Sequence, residues 1–160
     1  PNVEIVRRGY AAFNNGDTSA LAALIAENVV WHVPGRSLIA GDYHGRETTF
    51  AYLHRLHELT NGTYQAELHV AVGDDEHVIS IDHSSARRNG KTYDENGLVA
   101  FRFRDGRIME AWQAFMSPYA HDAFFSEPEP LGGERWITPL AVQTMSGQPS
   151  TIAGENLSDD

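Results

Sequence analysis

The chain has 160 residues, of which 41% are hydrophobic, so it has the length of one domain and can bury a core without a metal or a disulfide. Its 12 basic and 22 acidic residues give a formal charge of -10, which disfavours binding to nucleic acid and to anionic membrane surfaces. There is no cysteine for disulfides or thiolate chemistry, and no apolar run approaches the ~20 residues of a membrane span. We therefore expect a cytoplasmic protein.

Apolar residues at helical spacing predict three helices in the first part of the chain. The first runs from Val3 to Phe13 and ends at the turn residues 14–16. A second helix, with Asp17 or Thr18 as its cap, places Leu21, Leu24 and Ile25 on one face. A strand over residues 29–33 and a loop over 34–45 come next, and apolar residues over 46–59 predict the third helix.

Alternating residues then predict four strands, near 68–72, 78–81, 98–103 and 108–115. The dipeptides Asn89-Gly90 and Asp105-Gly106 are strong hairpin signals, and Gly73 to Asp75 forms another turn. Helices first and strands afterwards indicate an α+β domain in which the helices cover one face of a curved sheet.

The composition changes after Phe125 to a segment rich in proline, glycine, serine and threonine. Within it, residues 136–142 are apolar enough to dock against a folded surface. We predict a domain over 1–125 and a C-terminal extension over 126–160, which packs on that domain or on a partner subunit.

Three short segments carry a family resemblance. They read VWHVPG at 30–35, AGDYHG at 40–45 and FRFRDGRI at 101–108, the last followed by EAW at 110–112. Together with the order of elements, they resemble the SnoaL-like polyketide cyclase family of the nuclear transport factor 2-like superfamily, which also holds ketosteroid isomerases and small epoxide hydrolases. The resemblance implies a cone-shaped α+β barrel, with three N-terminal helices on a curved, mixed and mainly antiparallel sheet. It also implies a small-molecule cavity, catalysis without a cofactor, and a homodimer.

The positions that carry proton-transfer groups in these families hold other residues here. The general base, the oxyanion-hole tyrosine and the partner aspartate of ketosteroid isomerases match Val33, Gly9 and Val99. The carboxylate that commonly follows the tryptophan of the last strand in SnoaL-like cyclases matches Gln113, which can hydrogen-bond a carbonyl but cannot act as a base. The familiar mechanisms therefore do not transfer directly.

Glu95 is the carboxylate that the same matching places on the inner face of its strand, with Val99 and Phe101 farther along. A carboxylate in an apolar cavity becomes an acid or base that works near neutral pH, so we predict a catalytic role. Alternatively, Glu95 lies at a frayed strand end and meets solvent.

The preceding strand gives two conflicting predictions. The family matching places Ser80, Asp82 and Ser84 inside and His83 outside, whereas hydrophobicity alone favours the opposite face. Either face brings Asp82 or His83 near Glu95, and such a pair suits proton transfer. A cross-strand polar pair at the rim of the sheet is an equally good interpretation.

Tyr43 lies in the predicted loop over the cavity mouth, where its hydroxyl could donate to a carbonyl or epoxide oxygen or its ring could simply close the loop. The remaining predicted substrate contacts are mainly apolar or aromatic. They are Trp31, Val33, His57, Val99, Phe101, Gln113 and Phe115. We expect no metal, because His54 and His57 share a helix face without a third ligand at a recognisable spacing.

Taken with the resemblance, which implies a cofactor-independent cyclase or isomerase, these residues predict acid/base catalysis on an apolar, oxygenated small molecule. Glu95 with Asp82 or His83 would move the proton, while Tyr43 and Gln113 would bind the oxygen that gains charge. Two alternatives remain: opening of an epoxide by water or an internal hydroxyl, and a non-catalytic ligand-binding or dimerisation module.

Overall fold

A computed structural model of the chain describes residues 1–126. The predicted extension over 126–160 lies almost entirely outside the described residues. The described elements are α1 (Asn2–Asn14), α2 (Thr18–Leu24), β1 (Ile25–Val33), β2 (Gly41–His44), α3 (Arg46–Leu59), β3 (Gln65–Gly73), β4 (His77–Arg88), β5 (Lys91–Arg104), β6 (Arg107–Phe115) and α4 (Pro118–Phe124). None of these helices is long and apolar enough to cross a membrane.

The strands form one mixed sheet in the order β2-β1-β6-β5-β4-β3. Strand β1 runs parallel to β6, and the other neighbouring strands are antiparallel. Helix α1 packs against β3 and β4, and α3 packs against β1 and β2, so the helices cover one face of the sheet. The predicted α+β fold is confirmed.

Local sequence signals explain how these elements begin and end. The side chain of Asp17 caps α2 by accepting a 3.0 Å hydrogen bond from the backbone N–H of Ala20. Both hairpin turns use left-handed backbone, with φ of 51° and 77° at Asn89 and Gly90, and 52° and 74° at Asp105 and Gly106. The two predicted hairpins therefore lie where the dipeptides placed them.

Several predicted strand boundaries differ from the structure, and two of the differences change the type of element. Residues 41–44, predicted as loop, form β2, because their backbone pairs with β1 over Val30 to Val33. Ile25, predicted on the second helix, is the first residue of β1 and pairs with Ile108. In both places long-range strand pairing overrides the local pattern.

Helix α4 was not predicted. Arg88 on β4 holds its C-terminal end, since its guanidinium donates to the carbonyl oxygens of Phe124 at 3.1 Å and Ser126 at 2.8 Å. Phe125 is fully buried beside this helix. The C-terminal end of α4 is thereby held on the same strand that carries Asp82.

Candidate functional site

A cavity of about 90 Å³ lies between the helices and the inner face of the sheet. Apolar side chains from α1, α2, α3 and the sheet form most of its wall, among them Val6, Leu24, Leu56, Val99 and Phe101. Polar groups enter this wall at a small number of positions. Such a cavity suits an apolar small molecule that is oriented by a few hydrogen bonds.

One polar group in this wall is the carboxylate of Asp82, which is 6% exposed. The Tyr10 hydroxyl donates a 2.6 Å hydrogen bond to its Oδ2. Because that hydroxyl has one proton, Ser80, 2.8 Å away, can donate to the Tyr10 oxygen in turn. Helix α1 thus fixes one oxygen of a buried carboxylate.

Burial raises the pKa of Asp82, and the hydrogen bond from Tyr10 offsets part of that rise. Burial also raises the pKa of Tyr10, and the neighbouring Asp82 charge raises it further. The proton therefore stays on the tyrosine, and Asp82 is the group of this pair that can accept one.

A second tyrosine contacts the same strand. The Tyr64 hydroxyl donates to Ser84 Oγ at 3.1 Å, and burial raises the pKa of Tyr64 to about 12. Ser80, Asp82 and Ser84 thus face the helices, whereas Ile79 is 39% exposed on the outer face. The family matching was right for this strand and hydrophobicity alone was wrong, because tyrosine hydroxyls satisfy the inward polar groups.

Gln113 supplies a hydrogen-bond donor on the other side of the cavity. Its Oε1 accepts from the Trp31 indole N–H at 3.0 Å and from the Tyr52 hydroxyl at 2.5 Å. An indole N–H can only donate, so the amide oxygen must be the atom facing it. The amide nitrogen then points away from both donors, and it makes no hydrogen bond with a described residue.

Glu95 also lines the cavity, on the inner face of β5. It pairs in register with Ser84, and the next inward residue along the strand, Gly97, pairs with Asp82. The Glu95 side chain is half-buried, and within residues 1–126 no hydrogen bond or ion pair engages its carboxylate. It is placed at the edge of the cavity with its oxygens available.

Two predicted catalytic residues lie elsewhere, so those predictions need correction. His83 is on the outer face of the sheet, where its ring nitrogens contact Asn96 and Asp94. The Tyr43 hydroxyl donates to the backbone oxygen of Ile39 at 2.6 Å, and its ring stacks on Tyr52. Strand alternation keeps His83 out of the cavity. The one proton of the Tyr43 hydroxyl is already donated to the Ile39 carbonyl.

The predicted substrate contacts divide into two groups. Five of them line the cavity: Trp31, Val99, Phe101, Gln113 and Phe115. Val33 is a core residue with 3% exposure, and His57 stacks on Phe13 behind the lining. His57 is not part of the cavity lining, and its Nε2 is buried without a hydrogen-bond partner among the described residues.

The sequence reasoning missed the tyrosines. Tyr10, Tyr52 and Tyr64 were not among the predicted site residues, yet their hydroxyls position Asp82, Gln113 and Ser84. A usable signal existed for Tyr52, since it shares a helix face with Leu56 at a spacing of four residues. Across residues 1–126, no group of three or more histidine or acidic side chains could hold a metal ion.

The comparisons agree with this architecture. A solved structure of Bal32a, from a soil-derived mobile gene cassette, is 45% identical and covers 78% of this chain and 95% of its own, with a TM-score of 0.76. A protein of unknown function with a cystatin-like fold from Xanthomonas campestris is 25% identical over 79% of this chain and 98% of its own, with a TM-score of 0.74. The uncharacterized protein Rv0034 of Mycobacterium tuberculosis is 29% identical over 78% of this chain and 96% of its own. The model of the SnoaL-like domain matches residues 6–111, and the chain therefore belongs to the SnoaL-like domain family.

Proposed function

We propose that the protein is a cofactor-independent enzyme of the cyclase or isomerase type, in which Asp82 transfers a proton to and from an apolar, oxygenated small molecule. The observation that carries this proposal is the Asp82 carboxylate itself. It lies in the wall of an apolar cavity, and Tyr10 fixes one of its two oxygens at 2.6 Å. The other oxygen makes no hydrogen bond to a described residue, so it remains available to a substrate.

The surroundings of Asp82 suit a general base. Burial raises its pKa, which makes the carboxylate a stronger base than a solvated aspartate. The hydrogen bond from Tyr10 keeps the ionised form accessible and holds its orientation. Asp82 would take a proton from a carbon next to the substrate carbonyl and return it at another atom, which completes an isomerisation or prepares a ring closure.

Gln113 would bind the carbonyl oxygen that gains negative charge. Its amide orientation is fixed by Trp31 and Tyr52, so its N–H groups need no reorganisation during the reaction. Asp82 and Gln113 lie on β4 and β6 with one strand between them, which separates their backbones by roughly 10 Å. That distance leaves room for a substrate between the base and the donor.

The competing hypothesis is a non-catalytic binding module. A cavity filled by aromatic side chains would favour it, but here Trp31 and Phe101 pack edge to face as part of the wall and leave the cavity open. A buried carboxylate with one hydroxyl donor is a costly feature for a plain apolar binding site. This arrangement favours the enzyme.

Proton exchange measures the proposed step without knowledge of the substrate. One-ring ketones that bind the protein would be incubated with it in D₂O, and loss of their α-protons would be followed by NMR. We expect exchange above the buffer rate in the parent protein and a fall of about 10² or more in Asp82→Asn.

Asp94→Asn is the matched control, because Asp94 lies on the outer face of the sheet and contacts His83. It should exchange the ketones at the parent rate. If bound ketones exchange no faster than in buffer, or if Asp82→Asn keeps the parent rate, the binding module is the better description.

We also propose a homodimer formed through the outer face of the sheet. Register aligns Val72, Ile79 and Trp112 in one cross-strand row, and their exposed fractions are 58%, 39% and 39%. Exposed apolar side chains that adjoin one another commonly mark a protein interface. Sedimentation equilibrium of the parent protein and Trp112→Glu should show a dimer and a monomer, respectively.

A further inference from the structure

The charges around the cavity are of one sign. The cavity wall contains two acidic side chains, Asp82 and Glu95, both on the inner face of the sheet. Among the described residues that line the cavity there is no arginine, lysine or histidine. A ligand carrying a carboxylate or a phosphate would enter this space without a counter-charge, which is strongly unfavourable in an apolar environment.

Glu95 is the carboxylate that has no assigned partner. Asp82 is engaged by Tyr10, whereas Glu95 faces the cavity edge without a described donor. It is half-buried, so it keeps contact with water and is within reach of a ligand that enters the cavity.

Aromatic rings surround the same end of the cavity. Tyr93 lies two residues before Glu95 on the same face of β5, and Phe115 lies opposite Gly97 on β6. Tyr64 reaches Ser84, which is the register partner of Glu95. A carboxylate with aromatic side chains beside it is an environment in which proteins bind ammonium groups, through a charge-assisted hydrogen bond and, at an open ring face, a cation–π contact.

We propose that the ligand of this cavity carries a protonated amine, which Glu95 binds at the cavity edge while its apolar body extends toward Asp82. This inference rests on the proposed function in that the same molecule would be the substrate. It assigns the two carboxylates different roles: Glu95 anchors the positive charge, and Asp82 moves the proton. Glu95 is thus a substrate-binding residue, and the ligand is a small lipophilic amine that also carries the carbonyl group bound by Gln113.

Three one-ring probes that differ only in charge test this assignment. Benzylamine, benzyl alcohol and benzoate would be titrated against the parent protein near neutral pH by calorimetry or ligand-observed NMR. We expect affinity to fall in that order, with benzylamine bound about tenfold or more tightly than benzyl alcohol. The benzylamine affinity should weaken as salt is added, whereas that of benzyl alcohol should not.

Glu95→Gln keeps the shape of the side chain and removes its charge. It should lower the ratio of benzylamine to benzyl alcohol affinity by about tenfold, while Asp94→Asn, on the outer face, should leave that ratio unchanged. Equal affinities of the three probes in the parent, failure of all three to bind, or an unchanged ratio in Glu95→Gln would each overturn the proposal. The proton-exchange assay uses uncharged ketones and Asp82→Asn, so either hypothesis can fail while the other stands.

Discussion

Replacement of Tyr10 by phenylalanine removes one oxygen atom and tests whether the Tyr10–Asp82 hydrogen bond stabilises an ionised carboxylate. The hydroxyl donates to Asp82 Oδ2 at 2.6 Å, and Asp82 is 6% exposed, so water cannot readily replace the lost donor. A hydrogen bond to a charged group contributes about 1.5–3 kcal/mol to stability, compared with about 0.5–1.5 kcal/mol between neutral groups. We expect Tyr10→Phe to lower the free energy of unfolding by about 1.5–3 kcal/mol at neutral pH.

A double-mutant cycle separates this charge-dependent part from simple loss of packing. In Asp82→Asn the same hydroxyl faces a neutral amide, so the cost of Tyr10→Phe should fall to about 0.5–1.5 kcal/mol. Urea unfolding of the four proteins, followed by tryptophan fluorescence, gives the coupling energy directly. We expect a coupling of about 1 kcal/mol or more between the two positions.

The pH dependence of the Tyr10→Phe cost follows from the sign of the Asp82 shift. Burial raises the pKa of Asp82 in the folded state. The stability that the Asp82 carboxyl contributes is therefore fully present below its unfolded pKa of about 4, and it is lost as the pH rises through the folded pKa. Tyr10 limits this loss by stabilising the ionised form. The cost of Tyr10→Phe should therefore shrink as the pH is lowered toward about 4. The reasoning would be refuted if Tyr10→Phe cost the same at neutral pH as at about pH 4, and the same in Asp82→Asn as in the parent protein.

Three other predictions concern the cavity and the outer face. Burial lowers the pKa of His32, but its hydrogen bonds to Glu110 and Asp42 outweigh this and hold the pKa above its ordinary value. The stability that His32 contributes is therefore full below about pH 6.5 and is lost at higher pH. His32→Gln should remove about 1 kcal/mol of this pH-dependent stability, measured by urea unfolding below and above that pH. Gly97→Ala should cost about 1–3 kcal/mol and weaken ligand binding, because its new Cβ would lie 3.2 Å from Asp82 Oδ1; parent-like stability and binding would argue against this. Gln113→Leu leaves two buried donors without an acceptor and should cost about 2–6 kcal/mol, whereas Gln113→Glu, which keeps the acceptor, should unfold closer to the parent in the same assay.

Much of the framework could be predicted because the signals are local. The apolar spacing of α1 and α3 follows from the helical repeat, and the turns at Asn89-Gly90 and Asp105-Gly106 follow from backbone preferences of single residues. The family resemblance added the facing of β4, where hydrophobicity favoured the wrong side. It succeeded because it carries information about partners on other elements.

The tertiary structure decided which groups meet. Tyr10 and Asp82 are 72 positions apart in the sequence, and Trp31 and Gln113 are 82 apart, so no local pattern connects them. The same holds for β2, whose residues form a strand only because β1 offers an edge to pair with. The sequence read locally thus determined the main helices and the hairpin turns. Long-range burial and hydrogen bonding single out Asp82 as the proposed proton-transfer group, because they decide which cavity carboxylate is buried against Tyr10 and place His83 outside the cavity.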